Sequence, residues 1–172
     1  MRNAIAFSLL WLALILQSTW FQIPPLHEIQ PDFVLVVLTV AALTRGPRPA
    51  LVMGVLIGVI QDANYGSFLG LYAFAYGVVG YFSAVFFSQF LQRNVALTFV
   101  VTVCATFLFE WLTYGMTRLF GVTAYTWRVA LALTLQQMII DGVTLLVLYP
   151  ILVRWMSDRP RRGFAASEDE TP

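Results

Sequence analysis

The residues with the most chemical potential are carboxylates that lie within apolar segments. Glu110 and Asp141 each belong to a polar stripe at helical spacing, among side chains able to donate hydrogen bonds to them. The stripe members are Thr102, Thr106, Glu110, Thr113 and Thr117 on one segment, and Thr134, Gln137, Asp141 and Thr144 on the next. Carboxylates inside a membrane are candidates for ion or proton relays. A relay also needs a basic residue near the same depth, and neither segment has one. We therefore expect Glu110, Gln137 and Asp141 to be structural, holding two helices in register.

Two further aspartates bound a pair of short apolar runs. Asp32 opens the first run and Asp62 closes the second. We expect Asp32 at the second position of a helix begun by Pro31, where its charge complements the helix dipole by about 0.3–1 kcal/mol. Asp62 falls at the end of its helix, where the dipole opposes a negative charge. It therefore requires a partner, such as the N–H groups that open the next helix near Ser67.

The remaining composition excludes most catalytic and metal-binding functions. The chain has 172 residues with one histidine, His27, and one cysteine, Cys104. This excludes an internal disulfide and a His/Cys metal site built from this chain alone. The sequence has no serine-hydrolase elbow, zinc-protease motif, P-loop or dinucleotide fingerprint. The formal net charge of +1 gives no sign of nucleic-acid binding. We predict a protein that is not an enzyme and has no cofactor.

Hydrophobicity defines the structural class. The chain is 59% hydrophobic and only 11% charged, with a mean hydropathy of +0.78, whereas soluble domains carry about 25% charged residues. This predicts an all-α integral membrane protein in contact with lipid. We expect one six-span domain over residues 1–154 and a disordered cytoplasmic tail over 155–172. The spans are expected at about 4–21, 31–44, 49–62, 68–87, 95–117 and 129–153.

The distribution of arginine sets the orientation. With the N-terminus in the cytoplasm, only Arg118 and Arg128 of the ten basic residues fall on outer segments, which is the positive-inside pattern. Spans two and three are short, so a re-entrant hairpin is an alternative. That hairpin would leave Arg45 and Arg48 in hydrocarbon at about 2.5–3.5 kcal/mol each. We therefore predict six crossings with both termini cytoplasmic.

Small residues form a surface on each of two neighbouring spans. Ala50, Gly54, Gly58 and Asp62 recur every four residues on span three, and Gly70, Ala73, Gly77, Gly80 and Ala84 recur at three and four on span four. In lipid, small residues let helix backbones approach closely. We expect Gly54 and Gly58 to pack within the chain. The longer surface, on span four, is compatible with internal packing but is predicted to hold a partner helix.

Several of these features occur together in one known family. Pro31-Asp32 opening a short span, the hairpin Arg45-Gly46-Pro47-Arg48, and Gly54-x-x-x-Gly58-x-x-x-Asp62 with Leu69-Gly70-Leu71-Tyr72 after it resemble the rod shape-determining protein MreD. The likeness covers about residues 31–80. It implies a fold similar to the S-components of energy-coupling factor transporters and a place in the bacterial inner (cytoplasmic) membrane. It also implies a non-enzymatic role in the complex that directs lateral-wall peptidoglycan synthesis and rod shape. The implied partners are MreC, the elongation transpeptidase and a RodA-type glycosyltransferase.

An alternative interpretation is the substrate-binding S-component of an energy-coupling factor type vitamin uptake transporter. Such a subunit needs a ligand pocket with specific polar contacts, which Glu110, Trp111, Gln137 and Asp141 could line. Against this, span one offers only Ala4-x-x-x-Ser8 as a small-residue docking motif for a transporter partner.

Overall fold

The computed structural model is helical throughout its regular structure, and it describes residues 2–20, 30–66, 68–87 and 95–156. Six helices follow one another in these ranges: α1 (Arg2–Trp20), α2 (Phe33–Arg45), α3 (Pro47–Tyr65), α4 (Leu71–Phe87), α5 (Val95–Leu119) and α6 (Trp127–Met156). The predicted all-α class is confirmed, and one helix corresponds to each predicted span. Most of the predicted tail, residues 157–172, lies outside the described residues, as do connectors 21–29 and 88–94.

Two helices in the described ranges are long and apolar enough to cross a membrane, Val95–Leu119 and Trp127–Arg154. Ala4–Thr19, Phe33–Arg45 and Leu71–Phe86 are shorter apolar helices. A straight crossing takes about 20 residues, so the 13 residues of α2 cannot cover the whole thickness of a bilayer. The rest of the bundle must therefore cover the ends of α2.

α2 is the central helix of the bundle. It packs against all five other helices, and every residue from Val34 to Leu43 is buried. A helix that is apolar on all sides is stable when protein or lipid surrounds it, and here protein surrounds most of α2. Its buried polar side chain, Thr39, donates a hydrogen bond of 2.8 Å to the Leu35 carbonyl oxygen. The helix therefore leaves no broad face free for lipid or for a partner.

The ends of the central hairpin differ from the sequence prediction. α2 begins at Phe33, and Asp32 is its N-cap, with the carboxylate accepting a 2.9 Å hydrogen bond from the Leu35 N–H. The prediction that Asp32 occupies the second helical position was wrong, because an aspartate at the cap satisfies an N–H that has no partner within the helix. α3 continues to Tyr65, three residues past the predicted end, so Asp62 lies in its last turn.

The closest helix packing joins α3 to α4. A Cβ added at Gly54 would lie 2.5 Å from the Tyr76 carbonyl oxygen, and one at Gly58 would overlap the backbone of Ala73. These contacts leave no room for any side chain at either glycine. The two helices therefore meet backbone to backbone, as small residues allow in lipid.

The small-residue surface predicted on span four, which we call the α4 seam, packs inside the chain, and this corrects the prediction of a partner helix there. Ala73, Gly77 and Gly80 are buried and face residues of α3. Ala84 is buried with alanines of α2 and α3. Gly70 precedes the helix with a φ of +104°, so it is a turn residue. The small face of α3 matches the seam, and a short connection brings the two helices together at little entropic cost.

The α3–α4 contact predicts a sharp difference between two glycines. Gly58→Ala should lower the free energy of unfolding by about 1–3 kcal/mol, since the new methyl meets backbone that cannot move aside. Gly115→Ala on α5 is the matched control, because its Cβ meets nothing within 4 Å. It should be neutral or slightly stabilising. Thermal unfolding of the purified proteins in detergent measures both, and equal melting of Gly58→Ala and wild type would contradict the packing.

Candidate functional site

A buried network of hydrogen bonds joins all six helices. We call it the Asp32 cluster. Its side chains come from α1 to α6 in order, with two from α6: Gln17, Asp32, Gln61, Tyr76, Thr106, Gln137 and Asp141. Asp32 caps α2 from just before its first residue. Three of the seven, Thr106, Gln137 and Asp141, belong to the polar stripes predicted from the sequence.

Asp141 is the acceptor at the α6 side of the cluster. It is fully buried, and its Oδ1 accepts from the Asp32 N–H at 2.9 Å and from Gln137 Nε2 at 3.1 Å. Its Oδ2 accepts from the Thr106 hydroxyl at 3.0 Å. Gln137 Nε2 also donates to the Gln30 carbonyl oxygen at 2.9 Å. Two side chains one turn apart on α6 thus hold the backbone that leads into α2.

The Asp32 carboxylate ties α2 to α3 and α4. The Tyr76 hydroxyl donates to it, with Oδ2 at 2.9 Å, and lies 3.2 Å from Gln61 Oε1. A hydroxyl has one hydrogen, so the Gln61 amide can complete this contact by presenting its nitrogen to the hydroxyl oxygen. The Tyr76 ring stacks on Phe109 of α5 with centroids 4.6 Å apart. Position and ring orientation of Tyr76 are therefore fixed from three sides.

The cluster lies where the N-terminus of α2 is buried. Asp141 is 14 residues into α6, about 21 Å along its axis at ~1.5 Å per residue, so α2 begins beside the middle of α6. Asp141 accepts a hydrogen bond from the Asp32 N–H. Gln17 Oε1 accepts one from the Val34 N–H at 3.3 Å, and the Asp32 carboxylate accepts one from the Leu35 N–H. Non-helical backbone at membrane depth is tolerated only where protein surrounds and satisfies it. The cluster meets that condition.

Asp62 makes a second, smaller cap at the start of α4. Its carboxylate accepts from the N–H groups of Gly70, Tyr72 and Ala73 at 2.9, 2.8 and 3.0 Å. We expected N–H partners for Asp62 near Ser67, at the start of the next helix. The observed partners lie three to six residues after Ser67, and Ser67 itself is outside the described residues. The negative charge faces the positive end of the α4 dipole, which offsets its unfavourable position at the end of α3.

Glu110 does not join the cluster. It is half-buried, one turn from Thr106, and its carboxylate accepts no hydrogen bond from the described residues. The predicted match in depth with Gln137 does not bring the two together, because Gln137 is engaged by Gln30 and Asp141. The other stripe threonines donate to backbone carbonyl oxygens of their own helices: Thr102, Thr113, Thr117, Thr134 and Thr144.

Sequence reasoning missed Gln17, Gln61 and Tyr76. Gln17 and Gln61 are single polar residues near the ends of apolar runs, where they resemble ordinary interface residues. Their place in the predicted spans could have indicated a contact with Asp32, since all three residues lie at the same predicted end of the bundle. Tyr76 carries no such signal, because tyrosine is common in membrane helices and one of its neighbours on the same face is another tyrosine, Tyr72.

The cluster has the properties of a structural centre. Its carboxylates are bonded to donors of the same chain, and no ion pair reaches them from the described residues. The described residues also contain no group of three histidine, cysteine or acidic side chains able to hold a metal. A nucleophile placed beside a base is likewise missing from the cluster.

Comparison with known proteins identifies the family. The sequence model described as rod shape-determining protein MreD matches residues 1–158. The chain belongs to the MreD family. The rod shape-determining protein MreD of Bacillus subtilis (strain 168) is 28% identical over 89 residues, 52% of this chain and 51% of that protein, so the match spans about half the length of this curated relative. No solved structure matches the chain. Family membership makes this a bacterial membrane protein and supports a role in rod shape determination.

The cluster predicts different outcomes for two buried acids. Asp141→Val should abolish three hydrogen bonds and leave the Asp32 N–H and the Thr106 hydroxyl without an acceptor, at about 1–3 kcal/mol for each of these two donors. Glu110→Val is the matched control and should be tolerated, since the Glu110 carboxylate bonds to none of the described residues. Asp141→Asn keeps the shape and one acceptor oxygen and should fall between them.

The measurement is the amount of folded protein in membranes and its melting temperature in detergent. If Asp141→Val and Glu110→Val melted alike, the cluster would not be the structural centre of the bundle.

Proposed function

We propose that this protein is a non-enzymatic membrane scaffold of the rod (elongation) complex that binds MreC and helps direct lateral-wall peptidoglycan synthesis. The observation that carries the proposal is the family match over residues 1–158. The elongation transpeptidase and a RodA-type glycosyltransferase act nearby in the same complex. The protein's contribution is to hold partners in place within the membrane.

The buried polar centre supports a scaffold over a catalyst. The hydrogen bonds of the Asp32 cluster join side chains and backbone of the six helices to one another. A catalytic site needs polar groups that are free to meet a substrate. Rigid helices joined at one buried centre instead provide fixed outer faces, which is what a scaffold presents to its partners.

The uptake-transporter alternative is not favoured. Two of the residues expected to line its ligand pocket, Gln137 and Asp141, bond to the chain itself, and the family match assigns the chain to shape determination. The likeness to transporter S-components remains a prediction about the fold.

The proposed orientation places both termini in the cytoplasm. Arg45 and Arg48 lie at the α2–α3 junction, and Arg118 and Arg128 lie at the other end of the bundle, beside the α5–α6 connector. With the first pair inside, the arginines follow the positive-inside pattern.

Reporter fusions test this orientation. A reporter placed after Arg48 should give a cytoplasmic signal, because two arginines hold that connector inside. A reporter placed after Thr123 in the α5–α6 connector serves as the matched control and should give an external signal. An external signal at Arg48 would refute six crossings in this orientation.

MreC binding is tested by recovery from membranes. Tagged protein expressed at its natural level and solubilised in mild detergent should recover MreC well above the amount recovered by an unrelated six-span membrane protein with the same tag. Cells lacking the protein should lose rod shape and regain it with the wild-type gene. Rescue of shape without any recovery or cross-linking of MreC would contradict the proposed partner.

A further inference from the structure

Among the described residues, one glycine, Gly115, is required neither by its backbone conformation nor by packing within the chain. Three glycines have positive φ, which favours glycine: Gly46, Gly70 and Gly121. At six others an added Cβ would lie 3.0 Å or less from another atom, which at Gly77 and Gly142 belongs to a side chain: Gly54, Gly58, Gly66, Gly77, Gly80 and Gly142. Gly115 belongs to neither group, since it lies inside α5 and an added Cβ would meet nothing within 4 Å. Glycine inside a helix is less stable than alanine. Gly115 therefore lowers the stability of α5, and no contact within the chain compensates for this loss.

Gly115 opens a notch on a partly exposed face of α5. α5 packs on α6, α4 and α2. Gly115 is half-buried and lies on the same side as exposed Cys104 and as Trp111 one turn away, which is half-buried with its indole nitrogen covered. Leu119, one turn further on, is 86% exposed. In lipid, a missing side chain lets another helix backbone approach and gain van der Waals contact. A lipid tail would gain nothing specific from glycine, because alanine or leucine would meet it equally well.

Two arginines near the α5–α6 connector carry positive charge, and one of them, Arg118, lies one turn from Gly115. Arg118 donates to the Tyr114 hydroxyl at 2.7 Å and lies over that ring, and Arg128 lies over the Trp127 ring. Neither arginine forms an ion pair with an acidic side chain of the described residues. Residues 111–133 contain no aspartate or glutamate. The notch end of α5 and the start of α6 therefore attract a negative charge.

We propose that this face of α5 docks a membrane helix of a partner protein that crosses at Gly115 and places an acidic side chain next to Arg118. The inference rests on the proposed function and assigns the surface through which a helix of MreC is held. A second copy of this chain is disfavoured as the occupant. A symmetric contact through the same face would bring like charges together.

The test compares MreC recovery from membranes carrying three variants, each normalised to the amount inserted. Gly115→Leu should reduce recovery about tenfold, because the new side chain blocks close approach. The bundle should stay intact, since an added Cβ at Gly115 meets nothing within 4 Å, and the normalisation to inserted protein checks this. Ala63→Leu is the matched control at an exposed position of α3, and its recovery should equal that of wild type. Arg118→Gln should lower recovery and remove its dependence on salt.

The outcomes separate this inference from the function on which it rests. Failure of the wild-type protein to recover MreC would overturn both. Recovery from wild type, Gly115→Leu and Ala63→Leu in equal amounts would overturn the docking surface and leave the scaffold role standing.

A photo-activated cross-linker attached to Cys104, the one cysteine of the chain, gives an independent reading from the same face. An adduct with MreC supports the proposal, whereas adducts with a second copy or with lipid alone would overturn it.

Discussion

The buried start of α2 is the constraint on which the rest of the bundle depends. A short helix that begins inside the protein brings its first N–H groups into the protein interior, where each unsatisfied group costs several kcal/mol. The chain satisfies them with side chains from other helices, chiefly Asp141 and Gln17. Because each helix supplies one or more members of this network, its geometry fixes the register of all six helices at one point.

The close contact of α3 with α4 and the Asp32 cluster are parts of one arrangement. The backbone of Tyr76 lies against Gly54, while its hydroxyl reaches the Asp32 carboxylate. A larger residue at Gly54 would push α4 away and carry the hydroxyl with it. The glycine contact therefore sets the distance over which the hydrogen bond can form. This explains why small residues on α3 matter to a polar centre that they do not touch.

The sequence predicted the elements better than their partners. Hydropathy and the arginines indicated six helices, because burial and membrane insertion depend on local composition. The stripe containing Asp141 was visible, since helical period places residues on a common face. The helical period does not reveal which face of which neighbouring helix that stripe will contact. The α4 seam looks the same whether it meets α3 or a foreign helix, and the meeting of Asp141 with Asp32 depends on how deeply α2 begins.

A membrane protein whose central helix is covered from Val34 to Leu43 can contact other proteins only through its outer helices. Those faces are largely apolar: Leu12 on α1, Val52 on α3 and Val147 on α6 are all exposed, and lipid tails satisfy them as well as protein does. Hydrophobicity alone therefore gives no specificity in a bilayer. Specific recognition must come from shape and charge that lipid tails cannot match. The described surface combines both where open space at Gly115 lies one turn from the charge of Arg118, and the rigidity imposed by the buried cluster keeps the two in fixed relation.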